Sequence, residues 1–198
     1  AAADEAAVPD YHRQITNPDW HFVTGQKLVN AGYRLVLDNL LDLSHLSYVH
    51  SSTTGNPEVA EAAQIITETE DEFVRVTRWM AGIPPAPAFI LYTGRQDPID
   101  RWQVSQFIVP SYIDINNGSE AAGDGVAQKF RPTERGRWGF VVHHAMTPET
   151  DTTTHQFWAV GGEKRLIDTG KRATFDEAMH GVIDEDMVVY EAQQQSID

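Results

Sequence analysis

The sequence predicts an α+β fold, an antiparallel meander of strands with one helix before it and a long helix after it. Three observations carry this. From Gln64 to Val160 the chain alternates β-branched and aromatic runs with Gly-, Pro- and Asn-rich breaks. Asp38 to His50 sets Leu40, Leu41 and Leu43 among Asp42 and His45 in a helical rhythm. Ala173 to Gln195 spaces Phe175, Met179, Val182, Ile183, Met187 and Tyr190 mostly three or four apart. A curved sheet gripping a long terminal helix, the helix-grip arrangement, leaves a cavity between the two that suits a small molecule.

Residues 1–19 are rich in Ala, Pro and Asp and read as an irregular linker arm, the start of a piece excised from something longer. Residues 1–198, that arm included, are expected to form a single domain, the size expected of one core. His21 to Leu37 carries β-branched and aromatic residues with breaks at Gly25 and at Asn30-Ala31-Gly32, which predicts a hairpin feeding the first helix. Ser51 to Pro57 is loop-like. Gln64–Glu70 and Glu72–Met80 alternate about an acidic turn at Asp71. After the Pro-rich Ile83–Phe89 come strand-like runs at Arg101–Ile115, Val126–Phe130, Arg137–Thr147 and Asp151–Val160. The stretches NNGSEAAGDG and TPET between them are turn chemistry.

Composition removes several function classes. Against 29 Asp and Glu stand 15 Lys and Arg, a formal charge of −14 over 198 residues, and such a surface repels nucleic acid. At 41% hydrophobic residues with 5 Trp the chain is too apolar to be disordered. It has no cysteine, so it holds no disulfide, thiolate zinc site, cysteine nucleophile or iron–sulfur cluster of its own. No apolar run approaches the ~20 residues of a membrane span, and the N-terminus lacks the pattern of a signal peptide, so a cytoplasmic place is expected.

The chemistry concentrates in Asn39–His50, NLLDLSHLSYVH, which contains Asp42, His45 and His50 as D-x-x-H-x-x-x-x-H. At 100° per residue Asp38, Asp42 and His45 form one stripe, but His50 lies about 140° round from His45. The imidazoles converge only if the helix ends or widens between them. An Asp three residues before a His is also an ordinary orienting partner, so the spacing alone leaves a metal site and a salt bridge both open. The terminal helix carries Asp184, Glu185 and Asp186 just before Met187–Tyr190, an apolar run that must pack, so Asp186 stands where it could face the cavity. Two imidazoles and one carboxylate form the set that occupies one face of ferrous iron.

These segments, with HAMTPETDTTTHQFWAV and EDMVVYEAQQ, resemble the catalytic domain of the Rieske non-haem iron oxygenases, in the O-demethylase branch that includes vanillate demethylase and dicamba monooxygenase. The resemblance covers nearly the whole chain. It implies mononuclear Fe(II) held by His45, His50 and Asp186. It implies that Asp42 is the Asp linking the iron site to the Rieske [2Fe–2S] cluster of a neighbouring subunit in a homotrimer. Asn39 matches an Asn near the iron, and His144 matches a substrate contact. The cluster normally sits on an N-terminal domain through two Cys and two His. With no Cys here, that domain is expected to lie outside this sequence, and a ferredoxin or reductase to feed it. The implied reaction is hydroxylation or O-demethylation of a small methoxylated aromatic acid with O2. Phe107, Ile113, Val142 and Phe157 are the expected pocket walls. Two other readings use the same residues: a metal-free ligand-binding helix-grip module, and a zinc hydrolase. Metal analysis separates all three.

Overall fold

A computed structural model describes residues 15–123, 139–167 and 170–197. Its strands are β1 (Trp20–Val29), β2 (Gln64–Glu70), β3 (Phe73–Ile83), β4 (Ile99–Ile108), β5 (Tyr112–Ala121), β6 (Gly139–Pro148) and β7 (Thr154–Glu163). They form one antiparallel sheet in the order β1-β7-β6-β5-β4-β3-β2. The helices are α1 (Tyr33–Leu41), α2 (Glu58–Glu61), α3 (Pro87–Thr93), α4 (Lys164–Ile167) and α5 (Arg172–Ile197), with a 3-10 helix at Leu43–Ser47.

The α+β helix-grip expectation matches this architecture, since α5 lays one stripe on the sheet. Its buried residues Phe175, Met179, Ile183, Asp186, Tyr190 and Gln194 recur every three or four positions. Phe175, Met179 and Ile183 pack with Trp158 and Val160 of β7 and with Val142 of β6. A second cluster joins α1, the 3-10 helix and α3 to the inner face of β3 to β5, through Val36, Leu40, Leu46, Phe89, Ile113 and Ile115. The cavity lies where the two clusters meet.

Several local expectations are corrected. His21–Leu37 forms no hairpin. β1 runs unbroken through Gly25 and pairs along its length with β7, Trp20 opposite Glu163 and Val29 opposite Thr154. Gly25 serves close approach rather than a turn, because a Cβ there would lie 2.4 Å from the Trp158 ring. Arg101–Ile115 is two strands, β4 and β5, separated at Val109-Pro110-Ser111. NNGSEA continues β5 instead of turning, with Gly118 lying beneath the Trp102 ring. The Pro-rich run opens helix α3, with Pro87 at its first turn, where the missing N–H costs nothing. Most of the arm at 1–19 and the run Val126–Phe130 lie outside the described residues. No helix among the described residues is long and apolar enough to cross a membrane.

Candidate metal centre

The site begins where α1 stops. Asp42 leaves the helix at φ −94° and ψ 87°, and its Oδ1 accepts from the Ser44 N–H at 3.0 Å, capping the 3-10 helix that follows. This break turns the Asp42 carbonyl to the His45 ring, whose Nδ1 donates to it at 2.7 Å. After Ser47 the chain turns again, with His50 N bonded to Leu46 O. His45 and His50 thus escape their 140° separation on a straight helix and come to ring centroids 5.2 Å apart.

Asp186 meets them from α5. Its Oδ1 lies 3.3 Å from His45 Nε2 and 3.0 Å from His50 Nε2. One donor atom from each of the three residues falls within 4.8 Å of the others. The second nitrogens are already committed. His50 Nδ1 lies 2.6 Å from Glu185 Oε2, and a carbonyl or carboxylate oxygen can only accept, so each Nδ1 carries the hydrogen. In the neutral imidazoles both Nε2 lone pairs then face a carboxylate oxygen. Three electron-rich atoms on one buried point fit a cation, and the donor set of two imidazoles and a carboxylate fits ferrous iron.

Without a cation, protons balance the site. Burial by itself would raise the Asp186 pKa, but hydrogen bonds from His45 and His50 and their charges hold it at about 2. Burial pulls His50 down, yet its bonds to Asp186 and Glu185 outweigh this and raise it. A metal entering here therefore displaces protons. Asp42 is exposed, and its pKa is lowered. Desolvation opposes that direction, but the Ser44 hydrogen bonds and the charges of Arg78 and His45 overcome it. Arg78 Nη1 lies 3.7 Å from Asp42 Oδ1.

The three residues open on a small cavity walled mainly by Leu40, Leu43, Phe140, Val160, Met179 and Ile183. Val142 and His144 also line it. The other expected walls are corrected. Ile113 and Phe107 oppose each other on the same sheet face but belong to the packed cluster farther along β4 and β5. Phe157 alternates outward between the buried Gln156 and Trp158 and is 41% exposed. His143 turns to the opposite face and meets the Tyr112 hydroxyl at 2.6 Å. Asn39 is buried in α1, outside both the ligand cluster and the cavity wall.

His144 is fully buried, and desolvation lowers its pKa to about 4. Tyr190 donates to Gln156 Oε1 at 2.7 Å, and Gln156 Nε2 donates to His144 Nδ1 at 3.2 Å. Its Nδ1 being an acceptor, neutral His144 carries its hydrogen on Nε2. Sequence reasoning missed Asn117 and Thr54, the other polar residues on the wall, and the role of Glu185. Asn117 was signalled by position alone, since it continues the inward row Ile113, Ile115 along β5.

Residues 29–198 match the family model of the vanillate O-demethylase oxygenase C-terminal domain. A vanillate O-demethylase oxygenase subunit of a Pseudomonas species is 34% identical over all of this chain and 60% of its own length. A toluene-4-sulfonate monooxygenase iron-sulfur subunit of Comamonas testosteroni is 29% identical over 89% of this chain and 51% of its own. Among solved structures, dicamba monooxygenase bound to 3,6-dichlorosalicylic acid superposes with a TM-score of 0.76 at 24% identity, over 98% of this chain and 54% of that one. The chain therefore spans only about half to three-fifths of the length of these relatives. It belongs to the vanillate O-demethylase oxygenase C-terminal domain family, the catalytic domain of Rieske oxygenases.

Proposed function

We propose that this chain is the catalytic domain of an oxygenase component that uses mononuclear Fe(II) and O2 to hydroxylate or O-demethylate a small aromatic acid. The observation that carries the reading is the meeting of His45, His50 and Asp186 within 4.8 Å on the wall of an apolar cavity. A metal-free pocket leaves that convergence unexplained. The printed names of the relatives support the substrate class, as does a solved dicamba monooxygenase with non-heme iron and dicamba at a TM-score of 0.64.

His45, His50 and Asp186 would hold the metal, with Asp42 O and Glu185 fixing the two rings. Ferrous iron there supplies a site where dioxygen is reduced beside the substrate. The chain's own residues do the remaining work. Leu40, Phe140, Val142 and Ile183 exclude water and seat an aromatic ring. His144, held as the Nε2–H tautomer by Gln156, offers a neutral donor to a polar substituent and orients the reacting C–H. A hydroxylated methoxy carbon is a hemiacetal and loses formaldehyde unaided. Electrons come from a Rieske [2Fe–2S] domain outside this chain, fed by a reductase or ferredoxin. Asp42, exposed at the rim and joined to His45 through its carbonyl, is the contact to that domain, in a neighbouring subunit of a trimer. The test joins this domain to a Rieske donor and reductase and assays formaldehyde from methoxylated aromatic acids. Product in proportion to bound iron supports the reading. An iron-loaded, reduced assembly that oxidises no aromatic acid contradicts it.

A further inference from the structure

Apart from the metal-centre residues, the polar side chains that line the cavity are Thr54, Asn117 and His144. A hydroxyl turns to donate or to accept, and an amide offers both, but a nitrogen of a neutral imidazole does one or the other. His144 is buried, and burial keeps it neutral, with its pKa lowered to about 4. Its Nδ1 lies 3.2 Å from Gln156 Nε2 on the neighbouring strand β7. Its Nε2 has no protein partner among the described residues and is the nitrogen left for the cavity. Which sense His144 presents there depends on what holds the Gln156 amide.

An amide alone could turn over and offer its oxygen to a hydrogen on Nδ1. Tyr190 prevents this. It comes from α5, one turn beyond Asp186, and is wholly buried. Burial, and then the charge of Asp186, raise its pKa, so the hydroxyl keeps its hydrogen. Among the described residues that hydrogen has one acceptor, Gln156 Oε1 at 2.7 Å. A turned amide would set its NH2 against the hydroxyl hydrogen, or leave that hydrogen unmet in the interior, and buried polar groups are rarely left so. The amide oxygen therefore stays on Tyr190 and its NH2 on His144 Nδ1. The imidazole hydrogen is confined to Nε2.

We infer that Tyr190, acting through Gln156, is a positioning residue that makes His144 a fixed hydrogen-bond donor, so that the cavity selects substrates that place a hydrogen-free oxygen, such as that of a carboxylate, on His144. The selection rests on the oxygenase reading, whereas the relay of hydrogen bonds stands without it. A carboxylate oxygen accepts from Nε2–H. A substituent that has to donate meets that same hydrogen and loses its bond. A site built for one hydrogen-bond sense rejects the other strongly, because a polar group is then left unpaired out of water. With the hydrogen on Nδ1 the choice would reverse, since a bare Nε2 repels a carboxylate and accepts from a hydroxyl. Thr54 and Asn117 exert no such choice, as each can donate or accept.

The test has two parts. Nitrogen-15 magnetic resonance of the imidazole rings of this chain, metal-free and near neutral pH, reads the tautomer, because protonated and bare ring nitrogens resonate far apart. His144→Gln assigns the signal. The unsubstituted chain should show His144 in the Nε2–H form alone, and an Nδ1–H form there would overturn the proposal. Tyr190→Phe releases the amide, and the Nδ1–H form should rise from under about a tenth to about half of the population. A pure Nε2–H form in Y190F would remove Tyr190 from the relay. If Y190F fails to fold, Gln156→Met takes its place: mixed tautomers support the relay, and a pure Nε2–H form overturns it. In the oxygenase assembled with its Rieske donor, the second part compares kcat/KM for methoxybenzoates with that for the corresponding methoxybenzyl alcohols. Their ratio should fall about tenfold in Y190F, because a hydroxyl can donate to a bare Nε2 and a carboxylate cannot. An unchanged ratio would overturn the selection. Product from neither substrate in the unsubstituted enzyme would count against the oxygenase reading, while the ring nitrogens of this chain still test the relay.

Discussion

At the scale of single residues, the site depends on what holds the two imidazoles. His45 rests on a backbone carbonyl and His50 on the Glu185 carboxylate, so only His50 can lose its support by substitution of a side chain. Glu185→Ala should weaken Fe(II) binding by about 10- to 100-fold, and Glu185→Gln by less, measured by competition with a chelating indicator. Equal affinity in Glu185→Ala would show that packing alone orients His50. Asp42 is expected to behave oppositely. Asp42→Asn retains the carbonyl that holds His45, so iron content should stay near normal while turnover with a Rieske donor falls severely. Parallel loss of iron would make Asp42 a simple orienter. His144 gives a pH dependence. Its folded pKa, lowered by burial, is about 4 against an ordinary 6.5. Between those values the unfolded chain binds a proton that the folded chain does not, so stability falls as pH drops from about 6.5 toward 4. The loss should reach roughly 3 kcal/mol near pH 4. Urea unfolding across that range should show it, and His144→Gln should flatten this part of the profile. The convergence of His45, His50 and Asp186 could be anticipated in the sequence because His and Asp are chemically conspicuous. Glu185 was hidden inside an acidic run of the usual solvated kind, and Asn117 inside a stretch that reads as a turn.

At the scale of elements, the decisive feature is the broken helix between α1 and Ser51. The sequence showed that His45 and His50 could not meet on a straight helix, so a break was foreseeable. Its form was not, because it depends on Asp42 capping the next turn and on a tight contact from farther along. Gly55 supplies that contact. Its N–H donates to His50 O at 2.8 Å, and a Cβ on it would lie 1.7 Å from Leu46 O. Gly55→Ala should therefore cost about 2 kcal/mol or more of stability and weaken iron binding, because the backbone around His50 must shift. Thermal melting and metal competition on the same sample check both parts, and an unperturbed variant would show that the loop gives freely. The strands show why local pattern misleads. Gly25 and Gly118 resemble turn residues, yet each lies under a Trp from a neighbouring strand, a contact that no short window of sequence contains. In α5 the pattern sufficed: Asp186 occupies the same stripe as Phe175, Met179, Ile183 and Tyr190, and that places it inward.

At the scale of the whole molecule, a single sheet and its gripping helix bring together residues 136 positions apart, His50 and Asp186, and supply the cavity beside them. The fold class and the three-residue centre were legible because both rest on periodicity and on residue type. The cavity wall was less so: two of the expected lining residues face it, while Phe107 and Ile113 lie along the same strands beyond its end and Phe157 points out. The position of a pocket along a strand is set by which helices pack over it, which is tertiary information. With no cysteine for a cluster, this chain with iron, O2 and substrate should give no sustained turnover until a Rieske donor is added, as formaldehyde release would show. The central claim is that His45, His50 and Asp186 together hold one Fe(II) at the cavity. Anaerobic Fe(II) titration of this chain, read by the high-spin electron paramagnetic resonance signal of its nitric oxide adduct, tests it most directly. The account predicts one iron per chain with that signal, both lost in His50→Ala and Asp186→Ala variants that remain folded. Iron bound equally well by those variants, or no iron bound by the unsubstituted chain, would contradict it.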